Sequence, residues 1–93
     1  MESIVDTCVE QLHATFDATD LDTERKKIEH KLEEARYNPG DVTPFADCIL
    51  SVLLAARHEG FRSETVLKAL NDVAAKHIDR RWKKMEDGTY QAV

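Results

Sequence analysis

The sequence predicts an all-α fold, a four-helix bundle, on three observations. Apolar residues recur at three- and four-residue spacing along most of the 93 positions, the signature of amphipathic helices. The chain has only 3 Gly and 2 Pro, too few for the many turns of an all-β domain. Pro39-Gly40, Pro44 and Gly60 all fall between periodic segments. Helices joined by such short connections pack as bundles. The length fits one domain over about 1–84 with a tail over about 85–93. A core that small is marginal unless something else supports it.

The first helix, over about 2–17, places Ile4, Val5, Cys8, Val9, Leu12 and Phe16 on one face. Ala18-Thr19-Asp20 breaks it and supplies cap candidates for the next. The second, over about 21–37, has only a thin apolar stripe, Ile28, Leu32 and Ala35, among charged residues. Such a helix packs along one edge. Asn38-Pro39-Gly40-Asp41 ends it through proline and glycine chemistry. The third, over about 43–58, is capped by Thr43 with Pro44 at its first position, or by Asp41. From Phe45 to Ala56 it is apolar nearly all round, so it needs cover on most sides. In a domain this small a second subunit is the simplest cover, and residues 43–58 are expected to form a homo-oligomer. Gly60 marks a left-handed cap and Ser63 opens the fourth helix, over about 63–82. Its inner face carries Val66, Leu67, Leu70, Val73, Ala74, His77 and Ile78. Glu86-Asp87-Gly88-Thr89-Tyr90 reads as turn and tail.

A net charge of −5 offers no global footprint for nucleic acid, so any phosphate-binding surface is local. No apolar run reaches the roughly 18 residues of a membrane span, and Met1-Glu2-Ser3 lacks the basic start of a signal peptide. The expectation is a cytoplasmic protein without membrane or nucleic-acid partners. Cys8 and Cys48 lie within apolar helical patterns and read as reduced, buried thiols.

A short turn between antiparallel helices brings Glu34 and Asp47 toward a common space. Two carboxylates hold Mg²⁺ weakly and do not assemble a multi-metal site. Alternatively Glu34 is a surface charge and Asp47 stabilises a helix N-terminus. Lys31, one turn before Glu34, forms a solvated ion pair or neutralises a phosphate. Lys76, His77, Arg80, Arg81, Lys83 and Lys84 concentrate positive charge at the end of the fourth helix. Cations there complement the macrodipole, and arginine also pairs with phosphate through two parallel hydrogen bonds. Trp82 and Tyr90 are candidate platforms for a base, Trp82 alternatively a cap on the bundle; Phe16 and Phe45 fit core positions. His77 suits a core histidine and has no second ligand at zinc spacing. Ser51 reads as a small packing residue; no nucleophile–base pair, phosphate loop or redox C-x-x-C is present.

From Ile28 to Tyr90 the order Glu33-Glu34, Pro39-Gly40-Asp41, Asp47, Arg57-His58-Glu59-Gly60, Arg80-Arg81-Trp82 resembles the MazG-like all-α nucleoside triphosphate pyrophosphohydrolases. The likeness is strongest to their short phage and bacterial dATP/dGTP pyrophosphohydrolase-like branch, whose phage members have tails like Lys83 to Tyr90. Those enzymes hold magnesium with E-x-x-E on one helix and E-x-x-D on the next. The matching positions here are Lys31-x-x-Glu34 and Pro44-x-x-Asp47, so two of the four ligands are absent and one is a cation. In those relatives the end of the last helix contributes side chains to the nucleotide phosphates; here an expected Asn is His77, and Arg80 and Trp82 keep their places.

The resemblance implies a nucleotide-binding protein impaired in catalysis, holding or sequestering a phosphate-bearing, even signalling, nucleotide between helices two to four. Lys31, Lys76, His77, Arg80 and Arg81 would meet phosphate, Trp82 or Tyr90 the base, and Mg²⁺ would be weak or absent at Glu34 and Asp47. One alternative is an active Mg²⁺-dependent enzyme releasing monophosphate and pyrophosphate. The other is a helical oligomeric adaptor without ligand.

Overall fold

Local chemistry sets the helix ends in the computed structural model, which describes residues 3–16 and 20–93. The Ser3 hydroxyl accepts the Asp6 N–H at 3.1 Å and starts α1 (Ile4–Thr15). Asp20 does the same for α2 (Leu21–Tyr37), accepting the Thr23 N–H at 2.8 Å. The expected helix limits at Glu2 and Asp17, and the break at Ala18-Thr19, lie outside the described residues. At the end of α2 the Asn38 side-chain amide donates to the Glu34 carbonyl at 3.0 Å. Neither candidate caps α3 (Thr43–His58): Val42 holds the N-cap position without a side-chain cap hydrogen bond, and the Asp41 carboxylate, one residue further out, accepts the Thr43 N–H at 2.9 Å. The helix stops in a Schellman motif, with Gly60 N–H on Arg57 O and Phe61 N–H on Ala56 O. Gly60 takes φ 99°, a conformation costly for other residues.

Helices α1 and α2 both pack on α3, whereas α4 (Ser63–Asp79) touches α3 and α1 but not α2. The core they enclose is small, with Val9, Leu53 and Leu54 its buried apolar residues. The all-round apolar character of α3 is only half used: Leu53 and Leu54 face inward while Phe45, Ile49 and Val52 stay exposed. Phe45 therefore is not a core residue of the single chain. The same holds for most of α4, whose expected inner face is covered by α3 and α1 only near its start. Val66 is half-buried, but Leu70 is 57% and Ile78 82% exposed.

The last helix is shorter than expected. It ends at Asp79, and Arg80 is extended with φ −84° and ψ 148°. Residues Trp82–Lys84 (β1) and Tyr90–Ala92 (β2) then pair antiparallel, Trp82 opposite Ala92 and Lys84 opposite Tyr90. Turn chemistry drives this hairpin. The Asp87 carboxylate accepts the Thr89 N–H at 2.9 Å and its hydroxyl at 2.6 Å, and Gly88 supplies φ 89°. The segment expected as helix end and tail is thus a two-stranded ribbon on an otherwise all-α chain. No helix among the described residues is long and apolar enough to cross a membrane. Cys8 and Cys48 are free, half-buried thiols.

Candidate functional site

Because the Asn38–Asp41 turn folds α2 back along α3, Lys31, Glu34 and Asp47 meet. The Lys31 ammonium lies 3.5 Å from Glu34 Oε2 and 3.4 Å from Asp47 Oδ2. The hydrogen bond that Lys31 donates to Asp47, then the charges of Glu34 and Asp47, hold the Lys31 pKa above its ordinary 10.5. The two carboxylates thus already share a cation supplied by the chain. Mg²⁺ requires an octahedron of oxygens at about 2.0–2.1 Å, and a lysine between the carboxylates both blocks and repels it. Among the described residues no group of three or more His, Cys, Asp or Glu could hold a metal. The residues present do not fit Mg²⁺.

Beside this bridge opens a cleft of about 280 Å³ between α1, α2 and α3. Its rim carries Phe16, Lys27, His30, Lys31 and Asp47, and its floor Leu50, Ser51 and Leu54. The Lys27 ammonium sits 5.0 Å from the centre of the Phe16 ring, within cation–π range, and 3.2 Å from Glu24 Oε1. Phe16, expected in the core, is 38% exposed and walls this cleft. The lining places two ammonium groups in one cleft, each already paired: Lys27 with Glu24, and Lys31 with Glu34 and Asp47.

The C-terminal candidates stand elsewhere. Lys76, His77, Arg80 and Arg81 are all exposed. Trp82 neither caps the bundle nor leaves both ring faces free. It stacks on His77 with ring centres 5.0 Å apart and planes at 29°, and its indole N–H donates to the His77 carbonyl at 3.3 Å. His77 is therefore a surface residue, not a core one. Tyr90 is exposed on β2 opposite Lys84. Since α4 makes no contact with α2, the expected pocket between helices two to four is not formed within one chain. The predicted residues fall into two groups, Lys31–Glu34–Asp47 and the α4–hairpin junction.

A buried polar network was missed by sequence reasoning. Glu24 is 1% exposed, with His58 Nε2 3.9 Å from its carboxylate. His58 in turn meets His13, Nδ1 to Nδ1, at 3.1 Å; one ring must donate and the other accept. Beside them the Arg57 guanidinium donates to Glu10 at 2.7 Å, and Arg62 joins from outside. The Arg57 hydrogen bond chiefly, with the Arg57 and Arg62 charges, lowers the Glu10 pKa below 4.5. Spacing carried a signal for part of this. Glu24 is four residues before Ile28, His58 four after Leu54, and His13 four after Val9, each on an inward stripe.

Comparison with protein-family models, with curated proteins and with solved structures gives no match.

Proposed function

We propose that this chain binds a phosphate-bearing nucleotide without hydrolysing it, in the cleft of Lys27, His30 and Lys31, on a bundle akin to the MazG-like enzymes. One observation carries the reading: Lys31 bridges Glu34 and Asp47, where those enzymes would use magnesium between the same two helices. An ammonium has three donors, two of which the carboxylates occupy, leaving one for a phosphate oxygen. Lys27, paired with Glu24, adds a second ammonium donor to the cleft, and Phe16 offers it an aromatic surface for a base. On this reading the basic end of α4, Lys76, Arg80 and Arg81, is a second anion-facing surface that reaches a nucleotide only from a neighbouring subunit. The chain is a cytoplasmic homo-oligomer through α3.

The test is a thermal-shift series with nucleoside triphosphates and cyclic nucleotides, with and without Mg²⁺, followed by chromatography of each mixture. A rise in melting temperature without metal, the ligand recovered intact and the rise lost in Lys31→Met, is the expected result. A rise only with Mg²⁺, with monophosphate and pyrophosphate produced, overturns the reading in favour of the enzyme. No shift with any nucleotide overturns it in favour of an adaptor. Lys31→Glu places three carboxylates around the bridge and is expected to create Mg²⁺ binding that the wild type lacks, read by titration calorimetry.

A further inference from the structure

Cations are distributed unevenly along this chain. Every lysine and arginine from Arg25 to Arg62 is ion-paired with a carboxylate. Lys76, Arg80, Arg81, Lys83 and Lys84 are all exposed, and among the described residues none of them is so paired. Over residues 76–84 they stand against Asp79 alone, a surplus of four positive charges in a chain whose net charge is −5. Complementing the α4 dipole does not account for them. That effect fades within the last turn, α4 ends at Asp79, and Lys83 and Lys84 lie beyond it on β1. Alternation along the paired strands places Trp82, Lys84 and Tyr90 on one face of the ribbon, with Lys83 and Gln91 on the other. Trp82 and Tyr90 are diagonal neighbours across the strands, about 7–8 Å apart, and are 42% and 60% exposed. Except where Trp82 lies on His77, the ribbon packs on no helix, and a two-stranded hairpin alone is marginal in water.

We propose that this ribbon binds single-stranded nucleic acid, Trp82 and Tyr90 each stacking a base while Arg80, Arg81, Lys83 and Lys84 meet its phosphates. Aromatic side chains beside a basic track are how proteins hold single strands without sequence preference. The aromatics favour a single strand over a duplex, whose bases are already stacked on one another. His77 backs the Trp82 indole with ring centres 5.0 Å apart, and its carbonyl accepts the indole N–H at 3.3 Å. One face of the ring is thereby held while the side chain stays part-exposed. The acidic residues of the ribbon are confined to its turn, where Thr89 engages the Asp87 carboxylate. The basic track therefore runs from Lys84 back toward Arg80, away from Glu86 and Asp87. The acidic net charge that spoke against nucleic acid belongs to the rest of the chain. An anionic lipid surface fits less well. The polar side of α4 bears Glu64, Asp72 and Asp79 against Lys68 and Lys76, where interfacial helices concentrate lysine and arginine. The binding goes beyond the cleft reading, and neither Lys31 nor a neighbouring subunit takes part in it.

Trp82 is the only tryptophan in the chain, so its fluorescence reports the contact directly. The full chain is titrated with a mixed-sequence RNA of about 12 nucleotides, with the matching DNA strand and with the DNA duplex, from about 50 to 200 mM salt. Saturable quenching by either single strand is expected. The logarithm of the affinity falls with that of salt at a slope of about −2 to −3, the value for three or four phosphate contacts. Lys84→Glu weakens binding about tenfold or more, whereas Lys68→Glu, the same charge change on α4 away from the ribbon, leaves it unchanged. Tyr90→Ala weakens it about 5- to 100-fold through the lost stacking. Where Tyr90→Ala loosens the ribbon, the quenching and salt slope of the wild type give the same answer. No quenching at the lowest salt, equal quenching by the duplex, or a loss in Lys68→Glu as large as in Lys84→Glu overturns the proposal. So does pelleting with anionic vesicles by a protein that no strand quenches. Since mononucleotides are absent from the titration, failure here leaves the cleft reading standing, and failure of that reading leaves this one.

Discussion

Removal of Glu24 is the sharpest probe of what holds the helices together. Its carboxylate is buried between Lys27 of its own helix and His58 of α3. Breaking a buried pair by deleting one partner costs about 3–5 kcal/mol. Two features move Glu24→Ala to the lower end of that range. Lys27 is 41% exposed and regains water at once. His58, only 9% exposed, keeps its contact with His13. The deleted methylenes leave a cavity that adds to the cost, while alanine's helix propensity returns a few tenths of a kcal/mol. The sum is about 3 kcal/mol, which for a chain under 100 residues lowers the melting temperature by roughly 12–24 °C. Glu24→Gln keeps the shape and the acceptor and costs about half as much on the same reasoning. Urea unfolding at fixed protein concentration, followed by circular dichroism, measures both. A loss under about 0.5 kcal/mol, the usual range of surface substitutions and the level expected of exposed Glu29→Ala, would refute the reasoning. Glu24 would then be hydrated in solution and the network would not join α2 to α3.

The Glu10–Arg57 pair sets a pH dependence of definite sign. The Glu10 pKa is lowered from 4.5, so as pH falls the unfolded chain takes up a proton first. The stability the pair contributes is therefore complete above pH 4.5 and lost as pH falls through the folded value. Urea midpoints from about pH 3 to 6 are expected to show a shallower acid limb in Glu10→Gln than in the wild type; an unchanged slope would show that Arg57 does not hold the carboxylate. At Gly60, φ is 99° and a Cβ would meet nothing within 4 Å. Gly60→Ala is expected to cost about 1–2 kcal/mol from backbone strain alone, with Gly60→Asn costing less, both read from the thermal midpoint.

The sequence by itself determined what local chemistry controls. Helix periods, the Asn38–Asp41 turn and the Gly60 cap depend on residues a few positions apart, and the four helices follow from them. The meeting of Glu34 with Asp47 was legible for the same reason, because a short turn leaves little freedom in how α2 and α3 register. Tertiary structure alone decided the rest. Whether an apolar stripe is covered depends on a neighbour distant in sequence. The α4 stripe looked like a core face yet stays exposed, as only α3 and α1 reach it. Lys31 read as a solvated ion pair or as a phosphate contact, and its bridge to Asp47 came into view only when α3 lay alongside. Burial of Glu24, a residue type almost never found inside, required His58 and His13 from two other helices. The hairpin over 82–92 was concealed by basic residues that suit a helix C-terminus equally well. Pairing of Trp82 with Ala92 and the Asp87–Gly88 turn settled the competition in favour of strand.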